Sequence, residues 1–249
     1  MTRRRWIADT WTATTAALTG EQADHLVRVL RATPGQVYDV VAGGFLHRAE
    51  ITSVQPASAG RSAEVLFTLH EELESDTALP LHLLLAIFKF DHMEWAIEKA
   101  TELGVARITP IVARRTEKHL AQAAGKRVER WRRIALEASK QSRRSTIPEI
   151  AEPAQLGPAL DRETAATRIL LSETEQTISL TAALNTPQAG DETDETIALA
   201  IGPEGGWTPD EMLLFASHDW RPVTLGPRIL RAETAAISAI AIVGAQLPG

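Results

Sequence analysis

The chain has 249 residues, 44% of them hydrophobic and 23% charged. That is the balance of a globular protein, and it excludes disordered, collagenous and low-complexity classes. There is no cysteine, so a disulfide framework, Cys-ligated zinc, an iron–sulfur cluster and a thiol nucleophile are excluded together, and the composition suits a reducing compartment. The formal charge of −6, taken as a total, argues against a polyanionic partner.

The total conceals its distribution. Between Arg107 and Arg144 twelve basic residues stand against Glu117, Glu129 and Glu137, a net of +9 that leaves −15 for the rest of the chain. Acid gathers in residues 71–76 and 191–195, which read as solvated connectors. A basic stripe inside an acidic protein is either a solvated helix face or a surface for a polyanion, and charge pattern alone leaves both open.

In chain order, the basic start Arg3-Arg4-Arg5 is followed by Asp9 and five Thr within residues 6–20, so no signal peptide is expected. Short β-like runs at 37–41, 46–51 and 63–69 are punctuated by Pro34-Gly35, Gly43-Gly44 and Ala59-Gly60, the pattern of a small barrel or sandwich. One helix interrupts them, begun by Thr19 or Asp24 and carrying His25, Leu26, Val29 and Leu30. Near residue 71 the rhythm changes. Residues 81–88 form an almost unbroken apolar run, expected for a strand covered on both faces and, at 12 residues even when extended over 79–90, too short and interrupted for a membrane span. Met93, Ala96, Ile97, Ala100 and Leu103 then share a helix face that Gly104 closes.

A strand at 107–112 follows, and a helix at 126–142 is striped by Val128, Trp131, Ala135 and Ala138. This spacing places Trp131 in the core and not on a stacking surface. Strands at 168–171, 197–201 and 222–225 alternate with helices at 209–217 and 234–244. Alternating βα units with doubly buried strands define an α/β fold with a parallel sheet, and ligands of such sheets bind beyond the carboxyl ends of the strands. Three ends carry loops suited to that: Leu170-Leu171 into Ser172-Glu173, Ala200-Ile201 into Gly202-Pro203-Glu204-Gly205-Gly206, and Thr224-Leu225 into Gly226-Pro227-Arg228-Ile229-Leu230-Arg231-Ala232-Glu233-Thr234. Neither the phosphate-binding loop nor the dinucleotide fingerprint is present, and Glu204 would repel phosphate. A cationic or neutral ligand is therefore expected. An ordinary tight turn at 202–206, and simple capping of the last helix by Glu233 and Thr234, remain open on these residues alone.

The last two loops together resemble the signature of the RsmE-type methyltransferases of the SPOUT superfamily, which methylate N3 of a uridine in 16S ribosomal RNA. Residues 25–31 (His-Leu-Val-Arg-Val-Leu-Arg), 97–105 and 138–144 with Ile147-Pro148-Glu149 agree in order, so the resemblance covers nearly the whole chain. Lys140 departs from it, standing where an acidic residue is common.

The resemblance implies a PUA-like β-barrel over 1–72, a SPOUT domain over 73–249 whose last segment forms a trefoil knot, and a homodimer; the missing signal peptide and membrane span lead one to expect a soluble, cytoplasmic protein. It implies S-adenosyl-L-methionine as cofactor, held by Leu171, Ser172, Glu173, Ile201, Gly202, Pro203, Glu204, Gly205, Gly206, Leu225, Gly226, Ile229, Leu230 and Thr234. The expected partner is 16S rRNA or the small ribosomal subunit. Arg228 and Arg231 would stabilise negative charge on the uracil carbonyls, and Glu233 would accept the N3 proton or orient those arginines. RNA-facing residues are expected at Arg4, Arg5, Arg28, Arg31, Lys89, Gln141, Arg143 and Arg144. His25 fits a structural or an RNA-facing place equally. The histidines lack metal-ligand spacing, so no metal is expected. A SPOUT enzyme acting on a ribose 2′-hydroxyl and a non-catalytic ribosome-assembly factor are the alternatives.

Overall fold

The computed structural model describes residues 5–73, 78–142, 144–186 and 196–247. Two compact units are present, one of residues 1–77 with 139–147 and one of 78–138 with 148–249.

The first unit is a six-stranded sheet. Its strands are β1 (Arg5–Ile7), β2 (Thr10–Trp11), β3 (Thr15–Thr19), β4 (Val37–Ala42), β5 (Phe45–Gln55) and β6 (Glu64–Leu73), in the order β1-β4-β5-β6-β3-β2. Only the β1–β4 pair is parallel. Successive residues hold the two ends of this path: Ala8 N–H donates to Val41 O (2.8 Å) and Asp9 N–H to Ala17 O (2.9 Å). The sheet therefore curls, with Trp6, Leu18, Val40, Ala49, Ile51, Val65 and Phe67 on its buried side. The expected helix is α1 (Gly20–Asp24), which widens into a π-helical turn over His25–Val29. Thr19, not Asp24, takes the cap position. His25 lies beside the Trp6 ring, 5.9 Å between centroids.

The second unit is a parallel sheet with helices on both faces. In chain order it runs β7 (Leu79–Ala86), α2 (Phe90–Glu102), β8 (Val105–Val112), α3 (Lys118–Ala123), α4 (Val128–Ser142), whose last turn belongs to the first unit, then β9 (Glu149–Ile150), β10 (Ala154–Gln155) and α5 (Leu156–Asp161). It continues with β11 (Thr167–Leu171), α6 (Leu180–Leu184), β12 (Ile197–Ile201), α7 (Pro209–Ser217), β13 (Arg221–Val223) and α8 (Ala232–Gln246). The strand order is β10-β8-β7-β12-β11-β13, with β9 also on β8. The alternation of a pleated strand sorts the core into two layers. Leu81, Leu83, Leu85, Ile169, Ile197, Leu199 and Ile201 meet Met93, Ile97, Trp131, Leu180, Ala236 and Ile240 on one face. Leu84, Leu170, Ala198 and Ala200 meet Leu156, Leu160, Phe215 and Trp220 on the other. Trp131 is fully buried, edge-on to Phe90. Gly104, at φ +102°, ends α2 in the left-handed conformation that a side chain would resist.

One polar cluster sits inside this apolar frame. His82 Nδ1 lies 2.5 Å from Glu163 Oε2, and His82 Nε2 lies 2.7 Å from Thr109 Oγ1. The other oxygen of Glu163 accepts from Thr164 and Ala165 N–H at 2.9 Å. Burial alone would raise the Glu163 carboxyl, but the His82 ring and the two backbone donors outweigh it and hold it below the usual range. A carboxyl depressed in the folded state adds stability above the unfolded value of about 4.3 and loses it as pH falls through the folded one. Glu163→Gln, which removes the acceptor from these buried contacts, should therefore cost about 1–3 kcal/mol in urea denaturation at pH 7. The gap to the parent protein should shrink below about pH 4; a constant gap would refute the assignment.

Candidate active site

Because all strands of the second unit run parallel, their carboxyl ends share one edge, and five loops emerge there: 87–89, 113–117, 172–179, 202–208 and 224–231. β7 and β12 are adjacent at the centre, and the helices that follow them, α2 and α7, cover opposite faces of the sheet, which opens a crevice of the kind in which α/β sheets bind ligands.

The 202–208 loop is anchored at both ends. Upstream, every residue of β12 is buried. Downstream, Thr208 caps α7 in a capping box with Glu211, whose carboxylate accepts from Thr208 N–H (2.8 Å) and, by its other oxygen, from Arg114 N–H (2.8 Å). Neighbouring side chains press on the glycines between. A Cβ built on Gly202 would lie 3.1 Å from Trp207 Nε1, one on Gly205 3.2 Å from Arg115 Cδ, and one on Gly206 2.5 Å from Glu173 Oε1. Gly206 is also left-handed, φ +70°. Arg115 closes the cluster by donating from Nη1 to Gly205 O at 2.5 Å. The Trp207 indole N–H is buried with no hydrogen-bond acceptor among the described residues.

The structure thus brings Glu173 and residues 202–206 together, and it adds Arg115 and Trp207, which the sequence reading did not place in the site. Arg115 lies just past a strand end, the position that marks such loops, but its role shows only in the contact. Ser172 and Pro203 are buried, Leu171 and Leu225 half-buried against the core, and Ile201 is wholly within it. Gly226, at φ +112°, has open space where a side chain would stand.

The 224–231 loop leads into α8. Arg228, Ile229, Arg231 and Thr234 are exposed, with Ile229 86% so, and Leu230 is half-buried. The helix begins at Ala232, two residues before the expected start, with Arg231 at the cap position. That shift carries Glu233 inward: it is 3% exposed. Its Oε1 is 3.3 Å from His92 Nδ1 on α2, and its Oε2 has no hydrogen-bond partner among the described residues. The His92 contact is within ion-pair distance but is not aligned as a hydrogen bond. A carboxylate buried with one oxygen unsatisfied is costly, and such groups cluster at functional sites. His92 was not singled out from sequence, since a lone histidine near a helix start carries no signal of its own.

The expected RNA-facing residues scatter. Lys89 is exposed at the start of α2, and Arg28 is exposed but paired with Asp24 at 2.7 Å. Arg31 and Gln141 are exposed, and Arg5 is half-buried. Arg144 is buried, 7% exposed. Its N–H donates to Ser139 O and its guanidinium to Thr146 Oγ1, and burial pushes its pKa down to about 10. Arg4 and Arg143 lie outside the described residues. The +9 stripe is partly neutralised where it folds: Arg107 meets Glu149, Arg127 and Arg130 meet Glu94, and Arg132 meets Glu129 and Glu152. Among the described residues, no group of three His, Asp or Glu side chains is gathered for a metal ion, and no helix is long and apolar enough to cross a membrane.

Residues 75–244, the greater part of the chain, match the family model of the RNA methyltransferase domain, so the parallel sheet and its loop edge are those of an RNA methyltransferase. Two similar proteins are the ribosomal RNA small subunit methyltransferases E of Synechocystis sp. and Bacillus subtilis. They are 35% and 32% identical over 94% of this chain, spanning 74% and 91% of their own lengths. A ribosomal RNA small subunit methyltransferase E from Neisseria gonorrhoeae, solved bound to S-adenosyl methionine, superposes with a TM-score of 0.75 at 29% identity, covering 96% of each chain. The chain belongs to the ribosomal RNA small subunit methyltransferase E family.

Proposed function

We propose that this chain methylates N3 of a uridine in 16S rRNA, with S-adenosyl-L-methionine as donor and the small ribosomal subunit as substrate in the cytoplasm. The observation that carries the reading is Glu233, a buried carboxylate with an unpartnered oxygen at the foot of a loop bearing Arg228 and Arg231. Uridine N3 becomes nucleophilic only on losing its proton. Glu233 Oε2 is the acceptor for that proton, and the two arginines stabilise the negative charge that moves onto the uracil carbonyls.

The residues of the loop edge fit the cofactor. Gly202, Gly205, Gly206 and Gly226 offer backbone without side chains, Leu171, Ile201, Leu225 and Leu230 an apolar lining, and the Trp207 indole an unused donor. Glu173 and Glu204 supply negative charge toward a cation. When bound, the cofactor supplies a methyl group activated on a sulfonium. Pro203, Ile229, Ser172 and Thr234 complete the contacts in this reading. The curled sheet of residues 1–72 serves as a PUA-like RNA-gripping module, residues 73–249 as a SPOUT domain with a knotted end and a homodimer contact, and Arg5, Arg28, Arg31, Lys89 and Gln141 as phosphate contacts.

Nucleoside mass spectrometry of 16S rRNA from a strain lacking this protein tests the reading. Loss of N3-methyluridine, restored by the purified protein and donor, is expected. Loss of a 2′-O-methyl nucleoside instead would assign ribose chemistry, and failure to bind the donor in calorimetry would favour an assembly factor.

A further inference from the structure

We propose that His92 is the outlet for the catalytic proton, passing it from buried Glu233 to water; this rests on the N3-methylation reading above. Transfer of a methyl group from a sulfonium to an imide N–H forms one N–C bond and breaks one S–C and one N–H bond. The S–C electron pair stays on sulfur as a neutral thioether, and one proton is left over in every turnover. Glu233 takes that proton, but it is only 3% exposed and so has little direct contact with water. Unless the proton leaves, the base is not regenerated.

His92 is placed to remove it. Its Nδ1 is 3.3 Å from Glu233 Oε1, while its side chain is 31% exposed against 4% for Glu233. The oxygen without a hydrogen-bond partner among the described residues is Oε2, the one assigned to the substrate proton above, and the oxygen beside the ring is Oε1. The terminal torsion of a glutamate is broad and two-fold, so a half-turn of the carboxyl carries a proton from the first position to the second. A neutral imidazole protonated at Nε2 has its lone pair on Nδ1, facing Glu233. On accepting there it releases the Nε2 proton to water, the ordinary shuttle chemistry of histidine, and proton exchange with solvent water then restores the starting tautomer for the next turnover. The Nε2 side carries Asp91, whose Oδ2 is 3.8 Å away and largely exposed.

The charges around the ring are few. On α2 there is Asp91, and from α8 there is Glu233. The cations that reach α2 from the segment before α4 and from α4 itself, Arg127 and Arg130, are engaged by Glu94 at 3.7 and 2.6 Å, and Arg127 also lies over Phe90. Among the described residues no other carboxylate approaches the His92 nitrogens within 4.0 Å. That the contact is close but unaligned accords with catalytic hydrogen bonds that tighten only when substrate is bound.

The test is multiple-turnover methylation by His92→Gln and His92→Ala across pH 5.5–9, with the single-turnover rate, donor affinity and melting temperature measured beside it. Glutamine keeps a polar contact but does not titrate. We expect His92→Gln to lose about 10- to 100-fold in multiple-turnover rate at neutral pH, with the single-turnover rate and donor affinity unchanged. Imidazole should restore His92→Ala at least about fivefold. Wild-type rate and profile in His92→Gln, or a uniform loss at every pH without imidazole rescue, overturns the relay while N3-methyluridine is still made. A wild-type product other than N3-methyluridine overturns the underlying reading and the relay with it.

Discussion

Glu233→Gln is expected to abolish methylation near neutral pH while leaving the protein folded and able to bind its donor. The amide has the shape of the carboxyl but no basicity, so the N3 proton loses its acceptor and the rate should fall by about 10² to 10⁴. The residual rate should climb with pH, because hydroxide then ionises the uracil that Arg228 and Arg231 still stabilise. Stability should move the other way. Glu233 is 3% exposed with one oxygen unpartnered, and removing a buried charge that lacks full compensation relieves a folding cost. Part of that gain is offset, since an acid in the first turn of α8 also favours the helix. A melting temperature at or above that of the parent, together with lost single-turnover activity, is the expected pair of results. Retained activity would remove Glu233 from the chemistry.

The elements that sequence reveals well here are those whose burial is dictated along their own length. The runs at 81–88 and 197–201 are apolar without break because helices cover both faces, and both are central strands. β9 and β10 are two residues each, too short for any period to show, and β13 is only Arg221–Val223, held as the sheet edge beside β11. The curl of the first unit depends on Ala8 and Asp9 donating to two strands at once, a tertiary fact with no local pattern.

Charge was legible in amount and not in arrangement. Three of the acids that meet the basic stripe, Glu94, Glu149 and Glu152, lie outside the 107–144 window, so a count within it overstates the free positive surface. Arg144 is a strut within the first unit: its guanidinium is buried and bonded to Thr146. Arg114, Arg115, Lys118, Lys126 and Arg133 are exposed and form no ion pair within 4.0 Å among the described residues, and they are where the stripe keeps its positive field. The site divides the same way. Motif residues announced its loops, whereas Arg115 and His92 acquire their places only when β8 and α2 are set beside residues 202–206 and α8.

Gly206→Val should abolish donor binding without unfolding the protein. Two costs coincide at this residue. A β-branched side chain at φ +70° is strained by about 1–3 kcal/mol, and its Cβ would stand 2.5 Å from Glu173 Oε1, so the exposed carboxylate swings aside at little energetic cost but leaves its place at the loop edge. The loop has little freedom to absorb this at its ends, because β12 is buried throughout and Thr208 and Glu211 fix the start of α7. Distortion is then confined to the loop edge, where Glu173, Gly205 and Arg115 meet. Donor affinity measured by calorimetry should fall at least about 100-fold, equivalent to nearly 3 kcal/mol. The melting temperature should drop by only a few degrees, about 2–4 °C per kcal/mol for a chain of this size. Gly44→Val supplies the control. That residue is also left-handed, φ +90°, but lies in the first unit with open space at its Cβ, so it carries the backbone strain without the clash. It should lower the melting temperature and leave donor affinity intact. Equal affinity in both variants would mean that the 202–206 loop does not line the donor site.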